Sequence, residues 1–125
     1  MHTPNLYECT GITDVSALGN VHTLDLSYSN VASIRGLSNI VELKAYDCQV
    51  LEEIVDLPKV RTIDARICKK LRVLDSLPRL AHLDAEGCMD LLEIKGVPDT
   101  IQDMNLVGCS KLQSMTIASI KIKLR

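Results

Sequence analysis

Cys48, Cys68 and Cys88 recur every 20 residues, and Cys109 follows after 21. Cys9 precedes Cys48 by 39 residues, two such intervals, and Ser29 stands where the intervening thiol would fall. A fixed period of this length marks a chain built from stacked units, none of which can bury its apolar face alone. The flanking apolar residues keep the same step. Before the thiol run Val21, Ile40, Val60, Leu80 and Ile101, then the pairs Leu24/Leu26, Leu43/Ala45, Ile63/Ala65, Leu83/Ala85 and Met104/Leu106, with Leu6 alone in the first unit. After it come three columns spaced by three: Ile12, Val31, Leu51, Leu71, Leu91, Leu112; Val15, Ile34, Ile54, Leu74, Ile94, Met115; and Leu18, Leu37, Leu57, Leu77, Val97.

The unit therefore reads LxxLxLxxCxxLxxLxxLPx. Its LxL segment alternates with the period of a strand. The CxxLxxLxxL half has a period of three and is too short for a regular helix, so it is expected to return as an extended or 3₁₀-like path. Gly19, Ser38, Pro58, Pro78 and Pro98 close successive units. Proline fixes φ there and biases the preceding residue toward extended geometry, turning the chain into the next strand. Each turn of the coil then adds one strand to a parallel sheet, ~4.8 Å from its neighbour.

The chain has 125 residues, enough for one domain, with three Tyr and neither Phe nor Trp. Its core must be filled by aliphatic, Met and Cys side chains. No apolar run approaches the ~18–20 residues of a membrane span, and Met1–Thr10 lacks the basic start and apolar stretch of a secretory signal. A net charge of −2 and a pI near 5.9 exclude a strongly basic, general nucleic-acid binder. The expected setting is cytoplasmic and reducing, with no membrane and no nucleic acid among the partners.

From about Leu6 to Met115 this pattern resembles the leucine-rich-repeat proteins. The phrase Cys9-Thr10-Gly11-Ile12-Thr13-Asp14-Val15-Ser16-Ala17-Leu18, followed by Leu24-Asp25-Leu26-Ser27, is similar to repeats of protozoan and large-DNA-virus members. Leu106-Val107-Gly108-Cys109-Ser110-Lys111-Leu112 looks more like plant-type and LP-type bacterial repeats. The resemblance implies an α/β-solenoid-class, mostly β architecture: a curved right-handed coil with one parallel sheet on its concave face and extended or 3₁₀ convex segments. One domain is expected over 1–125, with repeats at 1–18, 19–37, 38–57, 58–77, 78–97 and 98–116, and a terminal strand over 117–125. It also implies a protein-interaction surface.

Cys9, Cys48, Cys68, Cys88 and Cys109, with Ser29, hold the column where many such repeats place Asn. A small thiol tolerates an apolar neighbourhood there. Metal sites need clustered Cys or Cys/His spacing, which a 20-residue period does not provide, and His2, His22 and His82 fall outside the column. Neighbouring rungs lie within disulfide reach, but the odd count and the isolation of Cys9 favour reduced thiols. No metal and no cofactor are expected.

Residues between the apolar columns should face outward from the strands in three columns: Thr23, Glu42, Thr62, His82, Asp103; Asn5, Asp25, Lys44, Asp64, Asp84, Asn105; and Tyr7, Ser27, Tyr46, Arg66, Glu86, Val107. The candidate partner-binding residues are Tyr7, Asp25, Glu42, Lys44, Tyr46, Asp64, Arg66, His82, Asp84, Glu86 and Asp103. Carboxylates outnumber cations among them, and tyrosines supply flat contacts of the kind enriched at interfaces. A protein partner with a basic or mixed-charge surface is expected, centred on Tyr46, Asp64, Arg66 and Asp84. His82, near Asp84 and Glu86, could add a pH-sensitive contact. Ile120, Ile122 and Leu124 alternate with Lys121 and Lys123, as in a closing strand whose lysines discourage edge pairing. Neither end carries an obvious polar cap, so self-association through end repeats is the alternative function. No glycine-rich phosphate loop, GxSxG, HExxH or kinase signature is present, and no enzyme is expected.

Overall fold

The computed structural model describes residues 21–98 and 100–112. Tyr7, Cys9, the repeat at 1–18 and the terminal strand over 117–125 lie outside the described residues. Among the described residues nine short strands follow one another: β1 (Thr23–Asp25), β2 (Ser33–Arg35), β3 (Glu42–Lys44), β4 (Glu53–Val55), β5 (Thr62–Asp64), β6 (Val73–Asp75), β7 (His82–Asp84), β8 (Glu93–Ile94) and β9 (Asp103–Asn105). The odd strands pair in chain order into one parallel sheet and the even strands into another. The result is a parallel β-solenoid of about four turns.

Register follows the repeat column by column. Leu24 pairs with Leu43, Leu43 with Ile63, Ile63 with Leu83 and Leu83 with Met104. These side chains are buried, as are Val31, Leu51, Leu71, Leu91 and Leu112 in the column after the thiols. Both sheets turn an aliphatic row inward, and the core is the space between them. The LxL strand is where the alternation put it. The return half is extended as expected, but Ile34, Ile54, Leu74 and Ile94 centre strands that pair into a second sheet, in place of the single sheet anticipated. The physical reason is stacking. Once rungs are held in register, every extended segment faces its own copy one rung away, and its N–H and C=O groups pair there. A 3₁₀ turn occurs only at Ser110–Leu112 among the described residues.

The corners explain why each strand is so short. Val60 N–H donates to the Leu57 carbonyl and Leu80 N–H to the Leu77 carbonyl, closing turns with Pro58 and Pro78 at the second position. Two further corners use left-handed backbone. Tyr28, Asp47, Ile67, Gly87 and Gly108 form one such column, and Gly36, Asp56, Ser76 and Gly96 the other. Ile67, at φ 61°, is a β-branched residue in a region that costs an ordinary L-residue ~1–2 kcal/mol. Replacing Ile67 with Asn, which visits this region routinely, should therefore raise stability by about 1 kcal/mol, read as a higher urea midpoint at unchanged slope.

Candidate functional site

The strand ends of the first sheet are built by a device in the second outward column. The Asp25, Asp64 and Asp84 carboxylates and the Asn105 amide oxygen each accept the backbone N–H two residues on, from Ser27 (3.0 Å), Arg66 (3.3 Å), Glu86 (3.2 Å) and Val107 (3.1 Å). Such turns end a strand by offering its N–H a local acceptor. Lys44 has no acceptor to offer. In that rung Tyr46 N–H donates instead to Ser27 Oγ of the preceding rung, at 3.2 Å. This corrects the outward placement of Ser27, which is 6% exposed because its hydroxyl replaces the missing cap.

Stacking then assembles the surface. Thr23, Glu42, Thr62, His82 and Asp103 are consecutive partners in the ladder, as are Asp25, Lys44, Asp64, Asp84 and Asn105. The centre is the Arg66 guanidinium. Its Nε and Nη2 each donate to one oxygen of Asp64 at 2.9 Å, Nε lies 3.8 Å from Asp84 Oδ2, and Cζ sits 5.0 Å from the Tyr46 ring centroid. Asp64 and Asp84 hold this group still further into its protonated range. The Tyr46 ring meets Tyr28 edge-on at 5.4 Å, an aromatic neighbour that the column reading did not single out. Tyr28 occupies a left-handed corner with no glycine to announce it.

To one side, His82 Nδ1 lies 2.7 Å from Asp103 Oδ2, while Asn105 Nδ2 donates to Asp84 and Glu86 at 3.2 Å each. Thr62, Asp64, Arg66, His82, Asp84 and Asp103 line a shallow depression of about 340 Å³. Tyr46, Asp64, Arg66, His82, Asp84, Glu86 and Asp103 thus form one continuous patch. Asp25, Glu42 and Lys44 extend the same face over earlier rungs. A second depression, of about 620 Å³, opens on the even-strand sheet between Ser33, Glu53, Arg72 and Leu92. Sequence reasoning missed it because the return path was not expected to form a sheet. Its carboxylates are matched from beside them: Ser33 and Arg35 donate to Glu53 at 2.6 and 3.1 Å, and Arg72 lies 4.0 Å from Glu52.

The thiol column lies in the interior. Cys48 donates to the Leu26 carbonyl at 3.0 Å, Cys68 to Ala45 at 2.8 Å, Cys88 to Ala65 at 2.9 Å and Cys109 to Ala85 at 3.1 Å. Each acceptor belongs to the rung before. The Leu26 and Ala85 carbonyls also receive the Ser29 and Cys88 N–H of their own rung, so the thiol fills a second lone pair that would otherwise be buried unused. Ser29 Oγ, itself buried, lies 3.9 Å from Cys48 Sγ and continues the column. Contact with Cys48 and Cys88, reinforced by burial, holds the Cys68 thiol well above its ordinary range, and burial pushes Cys109 up to about 11. Cys48, Cys68, Cys88 and Cys109 are free thiols. All four are buried, a placement that suits packing and backbone satisfaction.

Among the described residues no cluster of three metal-ligating side chains occurs, and no helix is long and apolar enough to cross a membrane. No protein-family model, curated protein or solved structure matches the chain.

Proposed function

We propose that this chain is a recognition solenoid of the leucine-rich-repeat type, and that its odd-strand sheet binds a protein segment with basic or mixed charge. One observation carries the reading. Residues ~20 apart in sequence meet on one surface, where Asp64, Asp84 and Asp103 line a depression beside an aromatic pair. Repeat arrays commonly use their continuous sheet as a binding surface. Aromatic and arginine side chains with a polar surround are the usual anchors of such contacts.

The caps determine how this is tested. Asp64 and Asp84 each hold a backbone N–H as well as a charge, so reversal to Lys would confuse a binding loss with a frayed strand end. Asn keeps the capping oxygen, as Asn105 does for Val107 N–H. A displayed random-peptide library selected on the wild-type protein should enrich lysine and arginine. The selected peptides should bind the D64N/D84N variant about tenfold more weakly, with its unfolding free energy unchanged within ~0.5 kcal/mol. Enrichment without basic residues, or equal affinity for the variant, refutes the assignment.

A further inference from the structure

Asp64, Asp84 and Tyr46 already hold a guanidinium, and that guanidinium is the protein's own. Arg66 is held by a two-pronged pair of bonds on Asp64, a second carboxylate at 3.8 Å and a ring face at 5.0 Å. These are the three elements that recognise arginine and that lysine, a compact point charge without the planar fork, satisfies poorly. The hold on Arg66 is nevertheless slight. Its side chain is 44% exposed, and its partner Asp64 is only two residues away. Exposed pairs of this kind contribute little. The depression opens beside Arg66, between Thr62, His82 and Asp103, leaving room for a second cationic side chain to approach the same carboxylates.

We infer that Asp64, Asp84 and Tyr46 form an arginine clamp for the partner segment, and that Arg66 is an internal plug which an incoming arginine displaces. The inference rests on the proposed use of this face and names the side chain it selects. The plug gives an outcome that ordinary contact does not. Where Arg66 touches the partner directly, removing it weakens binding. As an occupant of the site, its removal strengthens binding.

The test is a titration of N-acetyl-arginine methylamide, and of its lysine counterpart, into the wild-type, R66A, K44A and R66A/D64N proteins, followed by amide NMR shifts. Lys44 is the ladder neighbour of Asp64, so its removal makes the same change in net charge beside the same carboxylate without vacating the place that Arg66 holds. The arginine probe should bind R66A about three- to fivefold more tightly than the wild type, the size of one exposed ion pair. D64N in the R66A background should abolish that gain, and the lysine probe should gain less than twofold. The clamp is overturned if R66A binds the arginine probe no more tightly, or if K44A gains as much. Equal gains for both probes, or no binding to any of the four proteins, also overturn it. Library-selected basic peptides that lose affinity on D64N/D84N while R66A stays unchanged would leave the binding face intact and dispose of the plug alone.

Discussion

Gly96→Ala should destabilise the protein by about 3 kcal/mol or more, whereas Gly36→Ala should cost only ~1–2 kcal/mol. The two glycines occupy the same column and nearly the same backbone conformation, at φ 67° and 71°. Both substitutions therefore incur the left-handed cost of a Cβ. They differ in what the new atom meets. At Gly36 no atom of the described residues lies within 4 Å, while at Gly96 a Cβ would come 2.5 Å from Ser76 N and 2.9 Å from Ser76 Cα. Those are backbone atoms of the rung beneath, so relief requires the rungs to part. The Gly96 carbonyl also accepts the Leu77 N–H at 2.8 Å, and parting the rungs strains that bond. Urea unfolding of the two variants, measured side by side, isolates the steric component. Equal losses would mean that the rungs are not stacked this closely at the corner.

That contrast also shows which features of the fold are legible in sequence. The inward rows are, because Leu24, Leu43, Ile63, Leu83 and Met104 recur at one step and a stacked coil must place them together. The second sheet is not. Its strands span three residues or fewer around Ile34, Ile54, Leu74 and Ile94, and a period of three carries no strand signature. The corners are half hidden: Gly36, Gly87, Gly96 and Gly108 suggest left-handed backbone, but Tyr28, Asp47, Asp56, Ile67 and Ser76 adopt it without glycine. Stacking decides these positions, since a corner must follow the rungs on either side.

The candidate site divides in the same way. Column membership placed Asp64, Arg66, His82, Asp84 and Asp103 on one face, because register alone determines that. It did not show that Arg66 turns back on Asp64 two residues earlier, or that His82 reaches across to Asp103. Side-chain torsions decide those pairings. The caps were visible in principle, as Asp or Asn two residues ahead of each strand-end N–H, with Lys44 the exception. They give the acidic column a structural duty alongside any binding one, and both duties must be separated when its residues are changed.

Leu71→Ala should cost ~2–5 kcal/mol, a large share of the ~5–15 kcal/mol that stabilises an ordinary domain. Leu71 is fully buried, in one column with Leu51 and Leu91, and sits in a rung flanked by described rungs on both sides. In a stacked array stability is approximately a sum of rung terms and interfaces between neighbours. A cavity at Leu71 weakens its own rung and both adjoining interfaces. Among the described residues the core holds no aromatic ring that could collapse into the space, and the rungs are too thin for a side chain from elsewhere to fill it. The loss should therefore lie toward the upper end of the range. Leu71→Met, which roughly conserves volume with an unbranched chain, should cost less than ~1.5 kcal/mol. Urea unfolding monitored by circular dichroism reads both variants. If Leu71→Ala costs no more than Leu71→Met, the aliphatic columns are not packed against one another and the stacked coil is wrong.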